Sequence, residues 1–178
     1  MKLPSIAILD LIGLVYDGNT LQKRGLGGSE SAVILISREL AKLGFPVTVF
    51  NASGEDDSVS GAYDGVFYRH IHSMNSNDKF DIVISSRTVV PFIPEHLYHA
   101  FDQATRYPCR IFETIRKNAK FKILWMHDTF CNGDNILEDL VVHGHIDRIF
   151  TLSDFHLSYV TNCHHGKRRN FEVLKNKM

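Results

Sequence analysis

Short apolar runs alternate with amphipathic ones along the chain. Ile6–Leu11, IAILDL, is continuous enough to be a buried strand. Ser29 is a good helix N-cap and Gly44 a natural C′ residue. Between them Val33, Ile36, Leu40 and Leu43 recur at helical spacing, with Arg38, Glu39 and Lys42 toward water. Pro46–Phe50, PVTVF, is β-branched and reads as the next strand. The alternation repeats: GVFYRH is a weak strand, FDIVISS from Phe80 to Ser86 a strong one, and Arg110–Ala119 a helix. FKILWMHD is strand, ILEDLVVHG a short helix, DRIFTLS the last strand, and DFHLSYVTNCHH a helix opened by Ser153 or Asp154. Strands alternating with helices predict an α/β, Rossmann-like three-layer domain with a mostly parallel sheet. The closing GKRRNFEVLKNKM reads as a partly basic helix. Such domains often place a further strand there, so we expect the natural chain to continue past Met178.

Composition narrows this picture. The 178 residues make one domain or one lobe, and 44% hydrophobic with 22% charged residues suits a packed core. Twenty basic residues balance twenty acidic ones, so net charge recruits neither nucleic acid nor an acidic membrane. Three dispersed cysteines, Cys109, Cys131 and Cys163, form no disulfide framework and point to a reducing compartment. The apolar start MKLPSIAILDLIGLV has only Lys2 as a basic end, is interrupted by Pro4 and Asp10 and lacks a signal-peptide cleavage site, and no run is long enough to span a membrane. A cytoplasmic protein is expected.

The candidate chemistry centres on RGLGGSE, where Gly25, Gly27 and Gly28 precede a helix. Ligands of parallel α/β sheets sit outside the strands' carboxyl ends, where helix N-termini offer unpaired N–H groups and partial positive charge. Glycines there let a ligand approach the backbone. The dinucleotide fingerprint fails, because Glu30 stands where its third glycine belongs and the glycines lie far beyond the strand. The P-loop fails too, because Gly28 precedes Ser29 and Glu30 rather than Gly-Lys-Ser/Thr. Turn and phosphate site remain equal readings at this point.

The long first loop, GLGGSE opening a helix, WMHD ending a later strand, and DRIFTLSDFHLSYV together resemble the N-terminal half of family 4 glycosyltransferases, which have the GT-B fold. That resemblance implies that residues 1–178 are a single N-terminal, acceptor-side GT-B lobe, with the C-terminal donor-binding lobe absent. It places Gly27 and Gly28 beside the diphosphate of a nucleotide-sugar donor and makes His127 the catalytic candidate near the transferred sugar. Asp128 and Ser153 become substrate-binding candidates; Ser153 has the plainer alternative of capping its helix. The implied reaction transfers sugar from a nucleotide sugar to an acceptor of unknown identity, with retention and without metal or other cofactor. No Asp-x-Asp motif is present. The family's Glu-x₇-Glu region has no counterpart here, so the isolated lobe is expected not to turn over.

Blander readings compete. Without the resemblance His127 reads as a satisfied histidine beneath a loop, and its place at the ligand edge of the sheet tips it toward function; Trp125 is core rather than a platform, and Glu30 complements the helix dipole. Cys163, His164 and His165 lack the second ligand pair of a structural zinc site. The basic clusters GKRRN and RKNAKFK are solvated helix faces, or support a weak peripheral contact with anionic lipid at about 1 kcal/mol per residue. The alternative function is a non-catalytic α/β binding module for a phosphorylated small molecule or a protein partner.

Overall fold

The structure, a computed structural model, describes residues 2–12, 14–51, 60–98, 109–127, 136–163 and 171–173. Among the described residues eight strands form one sheet: β1 (Ile6–Asp10), β2 (Val47–Asn51), β3 (Gly61–Tyr63), β4 (Val66–His70), β5 (Ile82–Ser86), β6 (Phe121–Trp125), β7 (Arg148–Thr151) and β8 (Phe171–Val173). Their order is β3-β4-β2-β1-β5-β6-β7-β8. All neighbours are parallel except β3 and β4, a hairpin turned by Asp64 and Gly65, both with positive φ. The helices are α1 (Thr20–Lys23), α2 (Gly28–Lys42), α3 (Glu95–Tyr98), α4 (Cys109–Asn118), α5 (Leu137–Val142) and α6 (Asp154–Cys163).

Alternation along the strands builds two cores. Ile6, Ile8, Val47, Val49, Val66 and Tyr68 point toward α2 and pack on its Val33 and Ile34. Ala7, Leu9, Phe50, Val83 and Leu124 point the other way and meet Phe112 and Ile115 of α4 and Leu137 and Leu140 of α5. The expected Rossmann-like three-layer fold is therefore present. Its strand order reverses direction between β1 and β5, since β2 lies on one side of β1 and β5 on the other. A crevice opens at such a switch point, at the strands' carboxyl ends.

Three local expectations change. The helix after the glycines begins at Gly28 with Gly27 as N-cap, so Ser29 lies inside its first turn. Leu43, expected on the buried stripe, is instead the C-cap and is 69% exposed; Gly44 follows at φ +91°, the left-handed C′ position that glycine fills without a Cβ penalty. The third change concerns the closing segment. Phe171–Val173 is a strand, pairing in parallel with Ile149–Thr151, where a helix was expected. The open ladder of β7 and the β-forming Phe and Val outweigh the weak helical pattern of that stretch.

Candidate functional site at the carboxyl edge of the sheet

The parallel register brings His70, Asn51, Asp10, Ser86 and Trp125 into one row across β4, β2, β1, β5 and β6. Each closes its strand, and all five share the α2 face. Hydrophobic residues fill the equivalent positions one pleat earlier: Tyr68, Val49, Ile8 and Ile84. The row is therefore where the core gives way to polar chemistry.

Asp10, almost fully buried at the end of β1, is the centre of this row. Its carboxylate accepts from the Tyr16 hydroxyl at 2.8 Å and from Arg87 Nη2 at 2.9 Å. The same Nη2 donates to Glu30 Oε1 at 3.1 Å. Burial pushes the Asp10 carboxyl up to about 6, aided by the nearby Glu30 and opposed by Arg87 and the Tyr16 hydrogen bond. Burial also pushes the Tyr16 phenol well up, with Asp10 adding to it. Tyr16 belongs to the long first loop, which is pinned over the row: Asn51 Nδ2 donates to the Tyr16 carbonyl at 2.7 Å. Arg24 closes the loop on the Val15 carbonyl, and Arg38 of α2 reaches the Gly18 carbonyl.

The start of α2 stands above Asp10. Gly27 has extended backbone, φ −62° and ψ 160°, and none of the glycines Gly25, Gly27 and Gly28 has positive φ. Their value here is space. A Cβ on Gly27 would collide with Glu30 Oε2, whereas one on Gly28 would meet nothing within 4 Å. The first intrahelical bond of the turn is Ser31 N–H to the Gly27 carbonyl, 3.0 Å. The N–H groups of Gly28, Ser29 and Glu30 precede it, and Gly27 has no side chain to cap them.

His127 follows β6, whose path Met126 continues by donating to the Phe150 carbonyl at 2.9 Å. Its ring lies 4.1 Å from that of Trp125, tilted by 45°. Burial, with the positive Arg87 and the neighbouring His156 adding to it, holds the imidazole down at about 4, so it is neutral at physiological pH. Trp125 itself is core, as expected. Among the described residues, His127 Nε2, Trp125 Nε1, Asn51 Oδ1 and Arg87 Nε have no hydrogen-bond partner. These four atoms lie along the carboxyl edge of the sheet.

Thus the structure puts Gly27, Gly28 and His127 on the same edge of the sheet, with Arg87 between them. Ser153 is there too, after β7, and its hydroxyl accepts from the His156 N–H at 3.1 Å. That is a helix cap, the plainer of its two readings. Asp128, Cys131, His164 and His165 lie outside the described residues, as does GKRRN. In the other basic cluster Lys117 pairs with Glu113 at 2.5 Å and Lys120 with Asp81 at 2.8 Å. No group of three or more His, Cys, Asp or Glu able to hold a metal occurs among the described residues, nor does a helix long and apolar enough to cross a membrane.

Asp10, Tyr16 and Arg87 were missed in the sequence. Glu30 was noticed, but not as an ion-pair partner.

No protein-family model matches the chain, and no curated protein matches it in sequence. Among solved structures it is similar to a glycosyltransferase from Rickettsia africae ESF-5, with a TM-score of 0.51 and 13% identity over 96% of this chain and 43% of that one. At that identity the likeness is one of fold: both contain this Rossmann-like arrangement. The present chain spans less than half the length of that glycosyltransferase.

Proposed function

We propose that this chain is the N-terminal, acceptor-side lobe of a family 4-like GT-B glycosyltransferase. In this reading it helps transfer a sugar from a nucleotide-sugar donor to an acceptor, with retention and without a metal. A single observation carries the reading: an uncapped helix start bearing Gly28 and a neutral, half-buried His127 share the carboxyl edge at the sheet's switch point. The fold shared with a glycosyltransferase over 96% of the chain supports it.

The roles follow from charge. Glycosyl transfer develops positive charge on the sugar and negative charge on the departing diphosphate. The N–H groups of Gly28 to Glu30 and the helix dipole suit the diphosphate, and the bare Gly28 lets it come close. Arg87 is a poor direct partner for it, because its charge is already shared between Asp10 and Glu30. His127, neutral, hydrogen-bonds a sugar hydroxyl or steadies developing positive charge without adding its own. Because this chain spans 43% of the similar glycosyltransferase, the rest of the donor site is assigned to a second lobe, and the isolated chain does not turn over.

The test joins this chain to its natural downstream sequence and assays sugar transfer from a panel of nucleotide sugars. Transfer is expected, and His127→Ala should cut kcat by about 10²-fold or more. An unchanged rate would remove His127 from the mechanism. Calorimetric titration of the isolated chain is the complementary experiment. Tight binding of a sugar phosphate or nucleotide by this lobe alone would favour a non-catalytic binding module instead.

A further inference from the structure

We propose that Arg87 is the positioning residue of this edge: by bridging Asp10 at the end of β1 to Glu30 in the first turn of α2, it locks the Gly27–Gly28 turn in place beside His127. The inference rests on the sugar-transfer reading for its purpose, but its geometry stands independently.

The backbone supplies the first argument. Side chains alternate along a strand, so a residue following Ser86 in extended conformation would point away from α2. Arg87 instead has φ +67°, a left-handed conformation that a long side chain adopts at a cost on the order of 1 kcal/mol or more. That break in alternation delivers the guanidinium to the α2 side, where Nη2 meets both carboxylates. Its own N–H donates to the Trp125 carbonyl at 2.9 Å, tying the turn to the strand that carries His127 two residues later. One residue thus touches β1, β6 and α2.

The second argument is the state of the helix start. Gly27 cannot cap α2, and Glu30, the acidic residue of its first turn, is buried. A buried carboxylate needs a hydrogen-bonded cation, and Arg87 is the partner that the ion-pair geometry gives it, 3.1 Å away. Fixing Glu30 fixes the turn, because its Oε2 fills the space a side chain on Gly27 would need. The groups facing the guanidinium are Asp10 and Glu30, with Tyr16 on the far side of Asp10; those facing His127 are Arg87 and His156.

The experiment takes two readouts on this chain without substrate. One is amide exchange at Ser31, whose N–H closes the first turn; the other is the NMR titration of the His127 ring, assigned by comparison with His127→Gln. In Arg87→Met, exchange at Ser31 should quicken about tenfold or more through the lost charge-assisted bridge, and the His127 midpoint should rise by about half a unit or more. Arg87→Lys should return the midpoint toward its original value, because the charge is kept. Glu30→Gln should quicken exchange at Ser31 and leave His127 where it was. If Arg87→Met does not fold, Asp10→Asn/Glu30→Gln/Arg87→Met removes both stranded carboxylates and is read at the His127 midpoint against Asp10→Asn/Glu30→Gln. Wild-type exchange together with a wild-type midpoint in the methionine variant would overturn the proposal. So would an equal rise of the midpoint in Glu30→Gln, which would mean general loosening. Readouts that shift as stated, in a joined enzyme that works without His127, would sink the transfer mechanism and leave the positioning role intact.

Discussion

Gly27 and Gly28 are adjacent, identical in type, and different in what surrounds them. Gly27→Ala should destabilise the fold by about 1–2 kcal/mol, because its methyl group contests the place of the Glu30 carboxylate. Gly28→Ala should leave the melting temperature nearly unchanged, since nothing lies within 4 Å, and yet weaken binding of a diphosphate. Thermal melts of this chain and nucleoside-diphosphate titration of the joined enzyme read the two effects separately; equal behaviour of the variants would contradict this division. At this scale the sequence was only half legible. The glycines and their helix could be read from local spacing, and Glu30 three positions after Gly27 was visible as a helix-start acid. Its partner Arg87 lies 57 positions away, and no local pattern signals a pairing over that distance.

Ser153 belongs to the scale of elements. Its hydroxyl caps the start of α6, so Ser153→Ala should cost about 1 kcal/mol in a urea unfolding series. Activity of the joined enzyme should be spared, and a large loss of turnover at unchanged stability would return Ser153 to the substrate. Elements with strong periodicity, such as β1, α2, β5 and β6, were readable from the pattern of apolar residues because burial on the sheet faces leaves that pattern. Those that failed had other causes. The β3–β4 hairpin carries the Asp64-Gly65 turn signal, but strand β3 is three residues long and has no buried residue. β8 is defined by the ladder of β7 it completes, which is a tertiary fact. The row from His70 to Trp125 is of the same kind, since register between strands is not written in any one of them.

For the whole molecule, Asp10 and His127 give opposite responses to pH. Asp10 is an acid raised from 3.8 to about 6, so the native state binds its proton more tightly than the unfolded chain. Its contribution is full below about pH 4 and is lost as pH rises to about 6, on the order of 2–3 kcal/mol. His127 is a base lowered from 6.5 to about 4, so here the unfolded chain binds the proton more tightly. Stability from this source is present above about 6.5 and is lost as pH falls toward 4, by a similar amount. The two slopes offset each other in the native protein. In Asp10→Asn the histidine slope remains, and stability should climb between pH 4.5 and 6.5; in His127→Gln it should decline over that interval. Urea midpoints at the two pH values decide it, and slopes of the same sign in both variants would refute the assignment.

The shared row of strand ends has a further consequence. Its floor is laid down by main-chain pairing inside the sheet, whereas the connections that leave each strand contribute only what stands above it. Exchange of those connections could therefore redirect what the molecule recognises while the floor stays as it is. Deleting one residue from the middle of β1 or β5 would do the opposite: everything beyond the deletion would turn to the other face, carrying Asp10 or Ser86 away from α2. New specificity on this scaffold should accordingly be sought by grafting, and the strands left alone.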